Sequence, residues 1–270
     1  MINRNHIYNT RLMGFYLPMI TRLPLAPLAV RLLGLTVSCL TLSSCAATTG
    51  GTAMPATAVQ APTAETLSSL LLSAPEVDAA LAEPETGRSP EAVTGVVVTR
   101  EVSTPWNDSA HFDNTDCLAV AGAAQTGVYQ GTGFTGLRGQ VLREPPASGN
   151  WSHYAVQAVV LFPTPEAASD FFTRSQQSWA GCSDRELSYA QDSRAQQMAP
   201  DQVWSVGPAG TERGVLTVSR TESGPQQWSC QRALSVGGNV AVDVEACSLD
   251  GPTNAAAAIA GLIDDRLPAA

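Results

Sequence analysis

The residues of this chain whose chemistry could define a function are few: six cysteines, three histidines and no lysine among 270 residues. Without lysine, a Schiff base, a Ser–Lys dyad and the lysine of a P-loop are excluded. The sequence has no Gly-x-Ser-x-Gly elbow and no phosphate-binding glycine motif between a strand and a helix. We therefore predict no catalytic residue and no cofactor. A hydrolase whose His153 belongs to a Ser–His–Asp set stays open as a third hypothesis, because such triads assemble in space.

A metal site was considered in the segment HFDNTD (His111–Asp116), which carries possible ligands for a hard or borderline cation. Calcium loops need a denser pattern of oxygen ligands with a turn glycine, and structural zinc sites need paired cysteines at short spacing. Neither pattern is present. We interpret the segment as a solvated loop that caps the next helix, and we predict no metal.

The N-terminal segment has the order of an export signal. Four arginines and no acidic residue precede Cys45, and the apolar run Leu32–Leu42 follows the arginines. That run is shorter than the roughly 20 residues that a transmembrane helix needs. Leu42-Ser43-Ser44-Cys45 resembles the lipobox of bacterial lipoproteins, in which the cysteine is acylated and the signal removed. We predict a signal peptide over residues 1–44 and lipidation of Cys45, which would hold the protein on the extracytoplasmic face of the cell membrane.

The chain after the signal divides into a tether and a domain. Residues 45–66 are mostly alanine, threonine, glycine and proline, too poor in large apolar groups to fold. Residues 67–270 are enough for one domain with a sizeable core. Removal of residues 1–44 would leave 11 basic and 24 acidic residues, a net charge of −13. That charge excludes a nucleic-acid partner.

The pattern of the domain predicts an α+β fold with an antiparallel sheet. Helices are expected over about Pro75–Ala82, Cys117–Gln125, Thr164–Gly181 and Thr253–Arg266, the last with Leu262 facing inward. Strands are expected over Gly95–Val102 and Gln140–Arg143, in WSHYAVQAVVLF (residues 151–162), and in three runs near the C-terminus.

The strand over residues 151–162 alternates between an apolar and a more polar face. Tyr154 and the even-numbered positions after it would meet the core, whereas Trp151, His153 and Gln157 would point to the opposite face. We expect that face to meet water or a ligand. The glycine-rich segment after Tyr129 is interpreted as the rim of a cleft. Trp151, His153, Gln157 and Tyr129 are therefore the candidate ligand-binding residues.

The four cysteines after Cys45 predict two disulfides in an exported protein, with three possible connectivities. If Gly238-Asn239 is a two-residue hairpin loop, Cys230 faces Cys247 in a non-hydrogen-bonded pair, where the α-carbons lie close enough for a bridge. Cys117–Cys182 then follows by elimination.

Several motifs in order resemble one family: the lipobox, the Ala/Thr tether, LLLSAPEVDAAL, DCL, QAVVLFPTPEAASDFF and WSCQRAL followed by NVAVDVEAC. Together they are similar to the PknH-like extracellular domain of mycobacteria and relatives, found as the sensor end of a transmembrane Ser/Thr kinase and in free-standing lipoproteins. The resemblance implies a single α+β domain with a twisted antiparallel sheet, packed helices, two disulfides paired as above, and an open cleft.

The leading functional hypothesis is a lipoprotein whose sensor-like domain binds a small molecule, glycolipid or wall fragment in that cleft. The alternative is a protein-interaction module that docks on an envelope partner such as a receptor kinase.

Overall fold

The structure of the chain, a computed structural model, describes residues 62–82, 95–145, 152–189, 202–224, 227–249 and 251–268. Cys45, Trp151, the predicted signal and most of the predicted tether lie outside these ranges. None of the described helices combines the length and the apolarity that a membrane-spanning helix needs.

Nine strands and five α-helices form within the described residues. The strands are β1 (Val97–Val102), β2 (Gly136–Arg143), β3 (His153–Leu161), β4 (Glu186–Tyr189), β5 (Gln202–Val206), β6 (Gly210–Glu212), β7 (Val215–Glu222), β8 (Ser229–Gly237) and β9 (Val240–Ser248). The helices are α1 (Ala74–Leu81), α2 (Leu118–Ala121), α3 (Thr126–Tyr129), α4 (Pro165–Cys182) and α5 (Ala255–Asp264).

All nine strands belong to one antiparallel sheet. Its main path runs β1-β2-β3-β9-β8-β7-β5-β4, and β6 pairs with β7 beside that path. The long strands β3, β9, β8 and β7 form the centre, where most side chains are buried. Because helices pack on an antiparallel sheet, the predicted α+β class is confirmed.

The β8–β9 hairpin has the register that the sequence predicted. Gly237 pairs with Val240 across the two-residue turn, and Gly238 has a φ of +55°, which glycine adopts without the steric cost of a side chain. That register sets Cys230 opposite Cys247, and the two form a disulfide with α-carbons 4.0 Å apart.

The second disulfide joins Cys117 to Cys182, with α-carbons 5.7 Å apart. Cys117 directly precedes α2 and Cys182 is the last residue of α4, so the bridge ties these two helices together. Thr164 caps α4 at its other end, where its hydroxyl accepts a hydrogen bond from the Ala167 N–H at 3.2 Å.

Helices cover both faces of the sheet. On one face, α4 packs on β8 and β9, and its Phe171 and Trp179 belong to the same buried cluster as Val156 and Val160 of β3. On the opposite face, a 3-10 helix (Leu67–Leu70), α1 and α5 cover the odd-numbered side of β3. The prediction that this second face is open to water or ligand is wrong, because these three elements bury it.

Two further expectations are corrected. The helix predicted over Cys117–Gln125 ends at Ala121, because the backbone of Gly122 is extended; Ala124 then takes a left-handed φ of +54° and donates its N–H to Asp243 Oδ2 at 2.8 Å. Leu262 of α5 is 45% exposed instead of facing inward, whereas Ile259 and Ile263 are buried as predicted.

The strands β4, β5 and β6 were not predicted, and β2 begins at Gly136 instead of Gln140. The three missed strands are short, and every residue of β6 is exposed, so no hydrophobic alternation marks it. β5 and β6 form by pairing with β7, and β4 forms by pairing with β5; such contacts lie beyond the reach of local sequence patterns.

Candidate functional site

Gln157, one of the predicted ligand-binding residues, is fully buried and bonded within the protein. Its amide accepts from the Leu72 N–H at 2.9 Å, donates to the Leu72 carbonyl at 2.8 Å and donates to Gln140 Oε1 at 3.0 Å. The side chain thereby bonds both the N–H and the carbonyl of Leu72, as the backbone of a neighbouring strand would. It fixes the segment before α1 to the sheet and does not reach a cleft.

His153 is also buried, and Ser152 and Glu144 do not form a catalytic triad with it. Its Nδ1 lies 2.8 Å from Glu144 Oε1 and 3.1 Å from the hydroxyl of Ser152. A Ser–His–acid triad needs the acid and the serine on different ring nitrogens, whereas here both lie on Nδ1. Burial raises the pKa of Glu144, but hydrogen bonds from Ser152 and His153 outweigh it and leave that pKa lowered.

Tyr129, predicted near a cleft rim, is instead a core residue with no exposed surface. Its hydroxyl donates to Asp243 Oδ2 at 2.8 Å, and its ring stacks on Phe171 with the centroids 5.0 Å apart. Burial, together with the Asp243 carboxylate, raises the pKa of this hydroxyl well above its ordinary value.

The candidate site lies on the other face of β3. Four neighbouring strands, β3, β9, β8 and β7, present one row of side chains on that face. The row consists of Tyr154, Cys247, Cys230 and Arg220, each paired with the next. A pocket of about 310 Å³ lies over this row. Its volume is at the lower end of the roughly 300–1,000 Å³ typical of small-molecule sites.

Of the 15 residues that line the pocket, six are aromatic, five are polar or charged, and two form the hairpin disulfide. The lining residues are Trp106, Asp108, Phe112, Ala121, Gly122, Gln125, Tyr154, Tyr189, Gln202, Trp204, Arg220, Trp228, Cys230, Glu245 and Cys247.

The loop after β1, residues 103–114, forms one wall of the pocket. Trp106 is held there by its backbone, which donates to the Ala124 carbonyl at 3.1 Å and accepts from the Thr126 N–H at 2.7 Å. Farther along, Phe112 forms a β-bridge with Tyr189 of β4, at the far edge of the sheet from β1. The loop therefore crosses the sheet and closes the pocket against it.

A buried ion pair between Arg220 and Glu245 lies in the pocket wall. The Arg220 guanidinium also donates to the Ala121 carbonyl at the end of α2 and lies 4.6 Å from the centroid of the Trp204 ring. Burial lowers the pKa of Arg220, and the Glu245 carboxylate opposes that effect. The Nε of Arg220 has no hydrogen-bond partner in the described part of the chain.

A second buried ion pair supports the first from one row farther along the sheet. Arg232 pairs with Asp243 and donates to the Ala119 carbonyl at 2.6 Å. Asp243 also accepts from Ala124 and Tyr129. The last carbonyls of a helix have no intrahelical N–H partner, and the two arginines donate hydrogen bonds to two such carbonyls of α2. These bonds fix the end of α2 and so place Gly122 and Gln125 beside the pocket.

The sequence contains one signal for this site, which is the position of charged residues within strands. Asp243 and Glu245 are charged residues two positions apart in the mostly apolar strand β9, and Arg220 and Arg232 lie within the neighbouring strands β7 and β8. Charged residues are almost never buried unless paired, so their position predicts partners across the sheet.

Cys230, Glu245 and Cys247 lie close enough for a metal site by distance alone. The two sulfurs are bonded to each other and so provide no thiolate. The cluster is part of the pocket wall.

Two disulfides are typical of an exported domain, and a concave pocket with aromatic walls and placed polar groups is typical of a binding site. The family model of the PknH-like extracellular domain matches residues 62–266, and the chain belongs to this family. The serine/threonine-protein kinases PknH of Mycobacterium bovis and Mycobacterium tuberculosis H37Rv are each 33% identical to it over 203 residues. Those residues make up 75% of this chain and 31% and 29% of the two kinases.

The chain therefore matches less than a third of the length of these kinases. The crystal structure of the extracellular domain of PknH from Mycobacterium tuberculosis is 31% identical, with a TM-score of 0.65, and the alignment covers 77% of this chain and 97% of that one. The match supports an extracytoplasmic, sensor-like domain.

Proposed function

We propose that this protein is a cell-envelope lipoprotein whose domain binds a small molecule, glycolipid or wall fragment in the pocket between the 103–114 loop and the sheet. One observation carries the proposal: aromatic side chains from the loop, from three strands and from Trp228 just before β8 converge on one pocket with a buried ion pair in its wall. Pockets of this kind, apolar with few placed polar groups, are the usual form of ligand sites.

The anchor is part of the same proposal and rests on the sequence. Residues 1–44 would act as the signal, Cys45 would carry the lipid and residues 45–66 would hold the domain away from the membrane. Cys45→Ala should move the protein from the membrane fraction to the soluble fraction, and mass spectrometry of the wild type should show acyl chains on Cys45. An unmodified Cys45 would contradict the anchor and leave the pocket proposal standing.

Ligand binding is tested with protein purified from the membrane fraction of an expressing host and examined by native mass spectrometry. We expect an added mass on the wild type that Phe112→Ala reduces. Phe134→Ala is the matched control, because Phe134 is a partly buried phenylalanine of the same core that does not line the pocket.

Retention of the added mass in Phe112→Ala, or its loss in both variants, would contradict this site. If no mass is found and cross-linking instead recovers an envelope protein independently of Phe112, the alternative of a protein-interaction module would replace the proposal.

A further inference from the structure

We infer that the pocket takes an uncharged saccharide, an inference that rests on the proposed function and names the class of its ligand. It draws on three features of the pocket wall: the aromatic surfaces, the planar polar groups between them and the balance of charge.

The aromatic surfaces are arranged at two depths. Trp106, Phe112 and Tyr154 are partly exposed, whereas Trp204 and Trp228 are each 7% exposed and lie deeper. Flat aromatic faces suit the C–H face of a sugar ring, which is apolar although its edge carries hydroxyls. The volume of about 310 Å³ accommodates a ligand of the size of a small saccharide.

The polar groups between the aromatic rings are planar and held in place. Gln125 donates to Asp108 Oδ2 at 2.8 Å and accepts from the Asp108 N–H at 3.1 Å, so the two side chains fix each other at the pocket wall. Carboxylates and amides in fixed positions bind adjacent hydroxyl groups, which donate to one oxygen and accept from a neighbouring donor.

The charges of the pocket disfavour an anion. Its ionised lining groups are Asp108, Arg220 and Glu245, and the last two neutralise each other. The remaining charge is that of Asp108. A carboxylate or phosphate ligand would face this negative charge at short range, whereas Arg100, whose guanidinium lies 4.9 Å from the centroid of the Trp106 ring, does not line the pocket.

A cationic ligand is disfavoured by Arg220. Its guanidinium already lies against the Trp204 ring at 4.6 Å, the position that an aromatic site would offer to an ammonium group. A second cation would have to displace the Arg220 guanidinium from this ring. A ligand that is neither an anion nor a cation, and that is rich in hydroxyl groups, fits this pocket.

The Nε of Arg220 gives a second, independent indication of a hydrogen-bonding ligand. Arg220 is 8% exposed and lines the pocket, yet its Nε–H is unpartnered in the described part of the chain. An unsatisfied buried donor is costly, and an acceptor from a ligand hydroxyl would remove this cost. Since Trp204 lies against the guanidinium, such an acceptor reaches the N–H when the indole moves aside.

The test uses the full chain and three probes of different charge. N-acetylglucosamine is neutral, N-acetylmuramic acid adds a carboxylate to the same ring, and choline is a cation. Glucose, galactose and arabinose extend the neutral set. Binding is measured by isothermal titration calorimetry and by the change in tryptophan emission that displacement of Trp204 would cause.

We expect a neutral sugar to bind, N-acetylmuramic acid to bind about tenfold more weakly than N-acetylglucosamine, and choline not to bind. Asp108→Asn should narrow the difference between the two amino sugars to about threefold, because it removes the repelling charge and keeps an acceptor for Gln125. Asp113→Asn is the control: Asp113 lies in the same loop, accepts from the Ser188 N–H at 3.1 Å and does not line the pocket.

Each other result has a defined meaning. Tighter binding of N-acetylmuramic acid, binding of choline, or an equal effect of Asp108→Asn and Asp113→Asn would overturn the inference. If no neutral sugar binds but a mass from the envelope is retained in a Phe112-dependent manner, the inference fails and the proposed function stands. If nothing binds at the pocket, both fail.

Discussion

Glu245 of β9 pairs with Arg220 of β7 across the intervening strand β8, and their side chains expose only 5% and 9% of their surface. The pair lies at the border between the core and the pocket. The pair therefore stabilises the core and also forms part of the pocket wall. Mutation can test its contribution to stability separately from ligand binding.

Removing one partner of this pair should be strongly destabilising. Glu245→Ala leaves the Arg220 guanidinium buried without its carboxylate, so we expect a loss of about 3–5 kcal/mol in the free energy of unfolding. Urea denaturation at neutral pH measures this loss. The double change Arg220→Met with Glu245→Leu should cost far less, because it removes both charges and keeps the volume.

An exposed pair provides the control for that experiment. Glu212 and Arg213 lie 3.7 Å apart, with side chains 84% and 90% exposed. Glu212→Ala should change the free energy of unfolding by less than about 1 kcal/mol. A similar loss in the Glu212 and Glu245 variants would contradict a special role for the buried pair.

The two disulfides should stabilise the domain unequally. Replacing Cys117 and Cys182 by alanine removes a bridge with a sequence separation of 65, whereas replacing Cys230 and Cys247 removes one with a separation of 17. The loop-closure relation gives losses of about 4 and about 3 kcal/mol. Thermal and urea unfolding of the two double variants measure the order, and a larger loss for the hairpin bridge would contradict a loop-entropy origin.

Acid should weaken the N-terminal part of the domain through Glu76. This carboxylate caps α1 with Ser73 and pairs with Arg266, and these contacts, the Ser73 hydroxyl first, lower its pKa from 4.5 to about 2. Because the folded-state pKa lies below the unfolded-state value, this contribution is present above about pH 5 and is lost as the pH falls towards 2.

Measuring the free energy of unfolding between pH 2 and 6 tests this assignment. Glu76→Gln should show a shallower decline with acid than the wild type. Glu186→Gln, on an exposed position of β4, serves as the control and should follow the wild type. Equal slopes for Glu76→Gln and the wild type would show that this carboxylate does not carry the acid sensitivity.

Gln157 should matter for stability and not for ligand binding. Gln157→Leu removes the partners of the Leu72 N–H and carbonyl, so we expect a loss of about 1–3 kcal/mol in the free energy of unfolding. Gln176→Leu, which removes one exposed hydrogen bond to Thr211, should be close to neutral. If Gln157→Leu stays folded and binds a pocket ligand more weakly than the wild type, the residue contributes to binding and the prediction is wrong.

The sequence by itself determined what depends on local pattern and on covalent chemistry. The capping box of α1, the start of α4 and the Gly238 turn follow from neighbouring residues, and the turn fixes the pairing of Cys230 with Cys247. The motifs that accompany these elements also identified the family. Such features are predictable because their interactions span few residues along the chain.

Only the tertiary structure decided which face of β3 carries the pocket. Alternation separates Tyr154 from His153 and Gln157 but does not say which helices cover each side, and the N-terminal segment and α5 bury the side that had been expected to be open. The pocket itself joins Trp106 to Trp204 and Arg220, residues about 100 positions apart. Their meeting depends on strand order and on two ion pairs across the sheet, which no local pattern specifies.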